Sequence, residues 1–157
     1  MQTVTNRSSC SLSPVPCNLS PILTSLQQEE LLAAARRAYE HAYAPYSKFR
    51  VGAALLLEGG EIFSGCNVEN ASYGLTNCAE RSAIFSAVSQ LGPEQVRIRA
   101  VAVVNDRNVA CSPCGACRQV ISEFGPNADI LYLGPQGIQR SSMRELLPNS
   151  FGSGSLG

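Results

Sequence analysis

Three consecutive segments decide the fold: Ile98-Arg99-Ala100-Val101-Ala102-Val103-Val104, then Ser112-Pro113-Cys114-Gly115-Ala116-Cys117-Arg118-Gln119-Val120-Ile121-Ser122-Glu123-Phe124, then Ile130-Leu131-Tyr132-Leu133. The first is β-branched and alternates little, as strands buried on both faces do. The second begins Ser-Pro, with proline suited to a first helical turn, and stops at Gly125-Pro126. The third is a short strand that ends in a turn over 134–137. Strands alternating with helices imply a layered α/β sheet with helices on both faces.

The same reading extends in both directions. Apolar runs at 51–57 and 62–66 flank Glu58-Gly59-Gly60-Glu61 and predict a β-hairpin. Residues 67–77 form a polar loop. A helix is expected from Cys78 to about Leu91, closed by Gly92-Pro93. Near the start, Ser25-Leu26-Gln27-Gln28 reads as a capping box with Ser25 at the cap. The helix behind it, apolar along Leu31, Leu32, Ala35, Tyr39 and Ala42, is expected to reach about Tyr43, with Pro45 ending it. A last short helix lies near 142–147, before Pro148. The expected order is helix, hairpin, helix, strand, helix, strand, helix. That makes one three-layer α/β/α sandwich with a central mixed β-sheet, over residues 25–151. Residues 1–24, rich in Ser, Thr, Pro and Asn, read as a mobile arm, and 152–157 as a flexible tail. Neither an internal repeat nor a second domain is visible.

Composition narrows the function. Twelve basic and twelve acidic residues give zero net charge, and no basic run exceeds Arg36-Arg37. Nucleic-acid binders usually carry an electrostatic footprint, so no nucleic-acid partner is expected and a small-molecule ligand is favoured. No stretch approaches 18 apolar residues, and the N-terminus lacks an apolar signal core, so no membrane association is expected. Seven cysteines, at 10, 17, 66, 78, 111, 114 and 117, in a chain of this kind are more often metal ligands than disulfides, and the expected compartment is cytoplasmic.

Four of those cysteines fall in the chemistry-bearing half. Cys114 and Cys117 are three apart, on one side of a helix near its N-terminus. That end carries partial positive charge and unpaired N–H groups, which favour thiolate over thiol. Cys78 opens another helix in the same way. Three thiolates from two helix N-termini can hold Zn²⁺ and leave a fourth tetrahedral position open, the catalytic arrangement. Glu80, two residues after Cys78, sits beside such a metal, where a carboxylate can move protons. A Cys or His, one residue, Glu, and later Pro-Cys-x-x-Cys is the signature of the zinc deaminases.

The chain resembles the small homotetrameric cytidine deaminases over about residues 26–151. The likeness rests on Tyr46-Ser47-Lys48-Phe49, Val51-Gly52-Ala53-Ala54, Gly65-Cys66-Asn67-Val68-Glu69-Asn70-Ala71, Cys78-Ala79-Glu80-Arg81, Ser112-Pro113-Cys114-Gly115-Ala116-Cys117-Arg118-Gln119, and Leu146-Leu147-Pro148 closing on Phe151. The resemblance implies hydrolytic deamination of cytidine and deoxycytidine in pyrimidine salvage, with one zinc per chain and active sites shared within a homotetramer. It implies that Cys78, Cys114 and Cys117 are zinc ligands and Glu80 the proton shuttle. Asn67 and Glu69 would grip the ribose 3′-hydroxyl, and Phe49 would wall the pyrimidine. The Ala79 N–H would meet the pyrimidine carbonyl, and the Ser112 carbonyl the amine. Arg81 would bond the zinc thiolates. Phe151, with Tyr73 as a second contact, would reach a neighbouring subunit's pocket. The 1–24 arm has no counterpart in the family pattern.

Other readings of the same residues stay open. The three cysteines alone would be ordinary buried thiols. With Cys111, three before Cys114, they would make a closed four-thiolate zinc site in a non-catalytic module. A blasticidin S deaminase would share the zinc motifs. Polynucleotide editing is disfavoured by the absence of a basic stripe. His41, the only histidine, is expected at a polar position on the first helix without a functional role.

Overall fold

A computed structural model describes residues 23–152. The elements are α1 (Ser25–Tyr39), β1 (Val51–Leu57), β2 (Ile62–Cys66), α2 (Ala79–Leu91), β3 (Ile98–Asn105), α3 (Gly115–Phe124), β4 (Asp129–Gly134), β5 (Gly137–Ser142) and α4 (Met143–Leu146). Single 3₁₀ turns lie at Tyr73–Leu75 and Pro93–Gln95. The arm expected over 1–24, apart from Leu23 and Thr24, and the tail beyond Gly152 lie outside the described residues.

The five strands form one mixed sheet in the order β2-β1-β3-β4-β5. β1 is antiparallel to both β2 and β3, β3 is parallel to β4, and β4 is antiparallel to β5. Successive β1 side chains point to opposite faces, as the pleat requires. Ala53, Leu55 and Leu57 pack with Ala83 and Ile84 of α2, Ile121 of α3 and Met143 of α4. Ala54 and Leu56 pack with Leu31, Ala34 and Ala35 of α1. Helices therefore cover both faces, and the α/β/α sandwich follows from a central strand that is apolar throughout.

Four details differ from the sequence reading. The helix cap is Thr24 rather than Ser25: Thr24 Oγ1 accepts from Gln27 N at 3.2 Å, and Gln27 Oε1 accepts from Thr24 N at 3.1 Å. Both residues have Gln three positions on, so spacing alone did not separate them. Second, α1 stops at Tyr39 rather than Tyr43. The Tyr43 backbone is bonded across the chain instead, its N–H to Asn67 O at 3.1 Å and its carbonyl from Glu69 N at 2.8 Å. His41 thus sits in a turn beyond the helix. Third, Ser112 and Pro113 precede α3, whose cap is Cys114 in an extended conformation. Fourth, β5 is a strand the sequence reading lacked. Its residues are Gly-Ile-Gln-Arg-Ser-Ser, mostly exposed, and its pairing with β4 is reinforced by Arg140 on Asp129 (2.6 and 3.0 Å).

Sheet direction then places the chemistry. β2 and β3 both run opposite to β1, so they run the same way as each other. α2 follows the carboxyl end of β2, and α3 the carboxyl end of β3. Both helix N-termini emerge along one edge of the sheet, where α/β folds collect their ligands.

Gly65 lets α2 lie close against β2. A methyl there would meet Ala83 N, Ala79 O and Ser82 C, all backbone and all under 3 Å. Gly65→Ala is expected to cost about 1–3 kcal/mol as overpacking, read as a lowered Tm. Gly74→Ala, where a methyl meets nothing within 4 Å, should leave Tm nearly unchanged. Equal melting of the two variants would contradict this packing.

Candidate active site

Cys78 caps α2 and Cys114 caps α3, each with extended backbone (ψ 156° and 165°) that aims its side chain across the helix end. Cys117, fully buried, lies in the first turn of α3. The three Sγ atoms are all within 4.8 Å of one another, with Cys78 and Cys114 4.0 Å apart. A tetrahedral zinc with Zn–S bonds of ≈ 2.3 Å sets its sulfurs about 3.8 Å apart, so the donors fit this ion.

The charge around the sulfurs points the same way. Arg81 Nη2 lies 3.5 Å from Cys78 Sγ and 3.4 Å from Thr76 O. Its Nε is buried with no partner among the described residues. A bond from the Cys117 thiol lowers the Cys78 pKa well below the thiol range, helped by Arg81. Cys117 moves up in turn, because its proton is the one shared between them and because it is buried. One thiolate is therefore already stabilised in the protein alone. A divalent cation would take the place of the shared proton.

Glu80 is 4% exposed, in the first turn of α2. Burial raises its pKa, and the Cys78 charge raises it further. It opens onto a cleft of about 250 Å³ bounded by Phe49, Asn67, Glu69, Cys78, Ala79, Ser112 and Cys114 among others. A larger groove, about 670 Å³, runs between Glu58, Arg97 and Phe124 and contains none of these groups.

Asn67 and Glu69 reach the cleft from a loop, since β2 ends at Cys66 and no strand continues through them. Asn67 Oδ1 accepts from Val51 N at 2.8 Å, and its Nδ2 donates to Phe49 O at 2.9 Å. Glu69 Oε2 accepts from the amides of Tyr46 (2.9 Å) and Ser47 (3.2 Å), and its other oxygen accepts from the Ser47 hydroxyl. That hydroxyl, followed by the two amides, holds the Glu69 carboxyl below its usual range. Arg118 ties the segment before α3 in place, with Nε on Pro113 O (2.7 Å), Nη1 on Leu146 O (3.1 Å) and Nη2 on Ser112 Oγ (3.1 Å).

Two expected site residues lie away from the cleft of their own chain. Tyr73 is 77% exposed, its ring edge-on to Tyr46 at 6.2 Å. Phe151 is 60% exposed, and its carbonyl accepts from Gln119 Nε2 at 2.7 Å. Cys111 does not join the converging sulfurs. Its backbone bridges to Leu133 (N–H to O, 2.8 Å), the residue borders the cleft, and burial raises its pKa. The closed four-thiolate site is not what the chain builds. Ser47, Val51, Thr76 and Asn77 also line the cleft without having been singled out; Ser47 and Val51 sit inside quoted motifs, whereas Thr76 and Asn77 carry no signal in the sequence.

The family profile described as the cytidine and deoxycytidylate deaminase zinc-binding region matches residues 25–133. A cytidine deaminase from Sporosarcina psychrophila is 51% identical over 126 residues, covering 78% of this chain and 90% of its own. One from Halalkalibacterium halodurans is 50% identical, covering 80% of this chain and 95% of its own. Among solved structures, cytidine deaminase from Burkholderia pseudomallei superposes with a TM-score of 0.70 at 47% identity, over 78% of this chain and 98% of that one. The Mycobacterium tuberculosis enzyme gives 0.68 at 41%, over 80% and 97%. With its matched zinc-binding region, relatives spanning nearly their full length and three sulfurs converging beside a buried glutamate, this chain belongs to the cytidine and deoxycytidylate deaminase family.

Proposed function

We propose that this protein hydrolyses the 4-amino group of free cytidine and deoxycytidine, releasing ammonia and the uridine nucleosides for pyrimidine salvage, with one zinc per chain. The observation that carries this reading is the convergence of Cys78, Cys114 and Cys117, with Cys78, Cys114 and a buried Glu80 lining one cleft. Zinc held by those three sulfurs supplies Lewis acidity that makes water a nucleophile at neutral pH.

The chain's own groups do the rest. Glu80, whose burial favours its protonated form, is placed to deliver a proton to N3 of the pyrimidine and pass another to the departing amine. The Ala79 N–H, in the first turn of α2, has no acceptor inside the helix and is free for the pyrimidine carbonyl. The Ser112 carbonyl accepts from the amine, and Phe49 packs on the ring. Each polar atom of the Asn67 amide makes one bond within the chain, leaving one donor and one acceptor position for the ribose hydroxyl beside Glu69. Arg81 offsets the negative charge of the thiolates. We take 25–151 as the catalytic unit.

We extend the reading to a homotetramer with shared sites. Tyr43 and Val68 are bridged, Tyr46 and Tyr73 meet edge to face, and all four are exposed, as is Leu75 two residues after Tyr73; exposed aromatic and aliphatic side chains of this kind suit burial against another subunit. Among the described residues no helix is long and apolar enough to cross a membrane, and thiolate ligands suit a reducing compartment such as the cytoplasm.

The direct test follows the absorbance change of cytidine on deamination, with and without a chelator; turnover that survives complete zinc removal would overturn the reading. Glu80→Gln should keep zinc and lose roughly 10²–10⁴-fold in turnover. The stability consequence has a definite sign. A raised folded-state pKa gives a contribution that is full in acid and fades as pH rises through that value. Zinc-free Glu80→Gln should therefore melt no lower than its parent at neutral pH, and the parent should lose ground on it between acid and neutral pH.

Cys111→Ser should retain one zinc per chain by metal analysis and near-parental turnover; loss of the metal would restore the four-thiolate alternative. Truncation after Ser150 should raise KM with zinc unchanged, and truncation after Phe151 should be nearly silent. Identical behaviour of the two, or an active monomer in gel filtration, would remove the shared site.

A further inference from the structure

The wall of the cleft that carries Phe49 belongs to no helix or strand. Residues 46–50 run as turn and irregular chain, and Lys48 takes a left-handed φ of 55°. Glu69 and Asn67 tether this segment from the cleft side. A second tether comes from the turn after β3. Arg107 Nη2 donates to Ser47 O at 3.1 Å and to Lys48 O at 2.6 Å. Its Cζ lies 5.5 Å from the centroid of the Phe49 ring, within cation–π range.

The turn that carries Arg107 is itself braced. Asn105, 2% exposed, accepts from the N–H groups of Arg107 (3.1 Å) and Val109 (3.2 Å) and donates to Val109 O (2.8 Å). Asp106 closes the far end of the wall, accepting from Arg50 Nε at 2.9 Å and Arg50 N at 3.2 Å while donating its own N–H to Arg50 O at 3.1 Å. The chain then runs directly on to Cys111, Ser112 and Cys114. One turn thus connects the Phe49 wall to the segment bearing two of the three sulfurs.

We propose that Arg107 is a positioning residue for substrate binding, clamping residues 47–49 so that the Phe49 ring stands at a fixed place in the cleft. The inference rests on the reading of Phe49 as the wall against the pyrimidine. Arg107 does not line the cleft, so it acts through Phe49. The role needs arginine. A planar guanidinium can hold two carbonyls and still lie over a ring, whereas a lysine ammonium is a point charge on a flexible stem. Because Arg107 is exposed, its loss uncovers no buried charge and opens no core cavity.

The test is steady-state kinetics on zinc-loaded Arg107→Ala and Arg107→Lys, with zinc content and Tm measured on the same samples. Misplacing a binding group by about 1 Å costs up to ~10²-fold, and a surface tether should cost less: KM for cytidine should rise about tenfold in Arg107→Ala. With uniform binding lost and the reacting groups untouched, kcat should stay within about threefold. Arg107→Lys should keep the parental Tm without restoring KM. In a Phe49→Leu background, which lacks the π face, Arg107→Ala should change KM less than about twofold, the coupling expected of residues in contact. A parental KM in Arg107→Ala, full rescue by lysine, or an undiminished effect in the Phe49→Leu background would overturn the proposal. Failure of the parent protein to deaminate cytidine would instead overturn the functional reading on which it rests.

Discussion

Everything in this structure is arranged around three sulfurs and one carboxylate gathered at two helix N-termini. Like charges at 4–5 Å repel, and Glu80 adds another while buried. The fold offsets this in ways that need no metal. α2 and α3 present their positive ends, and Arg81 reaches Cys78, whose pKa is lowered. None of this would meet at one point without the strand directions. Because β2 and β3 run the same way on either side of β1, the helices that follow them start along the same edge. Gly65 then allows α2 to lie close enough for its cap to meet that of α3.

The carboxylate and the metal donors impose opposite demands. Burying Glu80 favours its protonated form, and each negative sulfur nearby favours it more. A dication at the sulfurs pulls the other way, toward the carboxylate. A group poised between two such influences can exchange a proton at little cost, which proton transfer to and from a substrate requires. An exposed glutamate at the same place on the helix would lack this property.

How much was legible follows from whether the signal was local. The bounds of β1 and β2 agree with the sequence reading because two apolar runs enclose Gly59-Gly60. α2 and the end of α3 agree because Gly-Pro pairs stop both. The metal donors were legible because cap position and i, i+3 spacing fix geometry within one helical turn. β5 was not, because Gln139-Arg140-Ser141 has no apolar alternation and its order comes from β4. Asn67 is expected from the family resemblance to grip the ribose, yet half its bonding capacity is spent joining Phe49 and Val51. That expenditure is a long-range contact, and nothing in the local sequence announces it.

The same division separates the two halves of the site. Its reactive half stands on helix ends, where backbone geometry leaves little freedom. Its other half, residues 46–50 with Asn67 and Glu69, is irregular chain held by side chains from two other places: the loop after β2 and the turn after β3, whose Asp106 also pairs with Arg50. A rigid metal floor and a tethered wall can vary independently. The tethers act on residues 46–50 alone, and the sulfurs and Glu80 stay where α2 and α3 put them. In this fold the wall therefore rests on loop contacts such as Arg107 on Ser47 and Lys48, and the sulfurs and Glu80 rest on two helix ends.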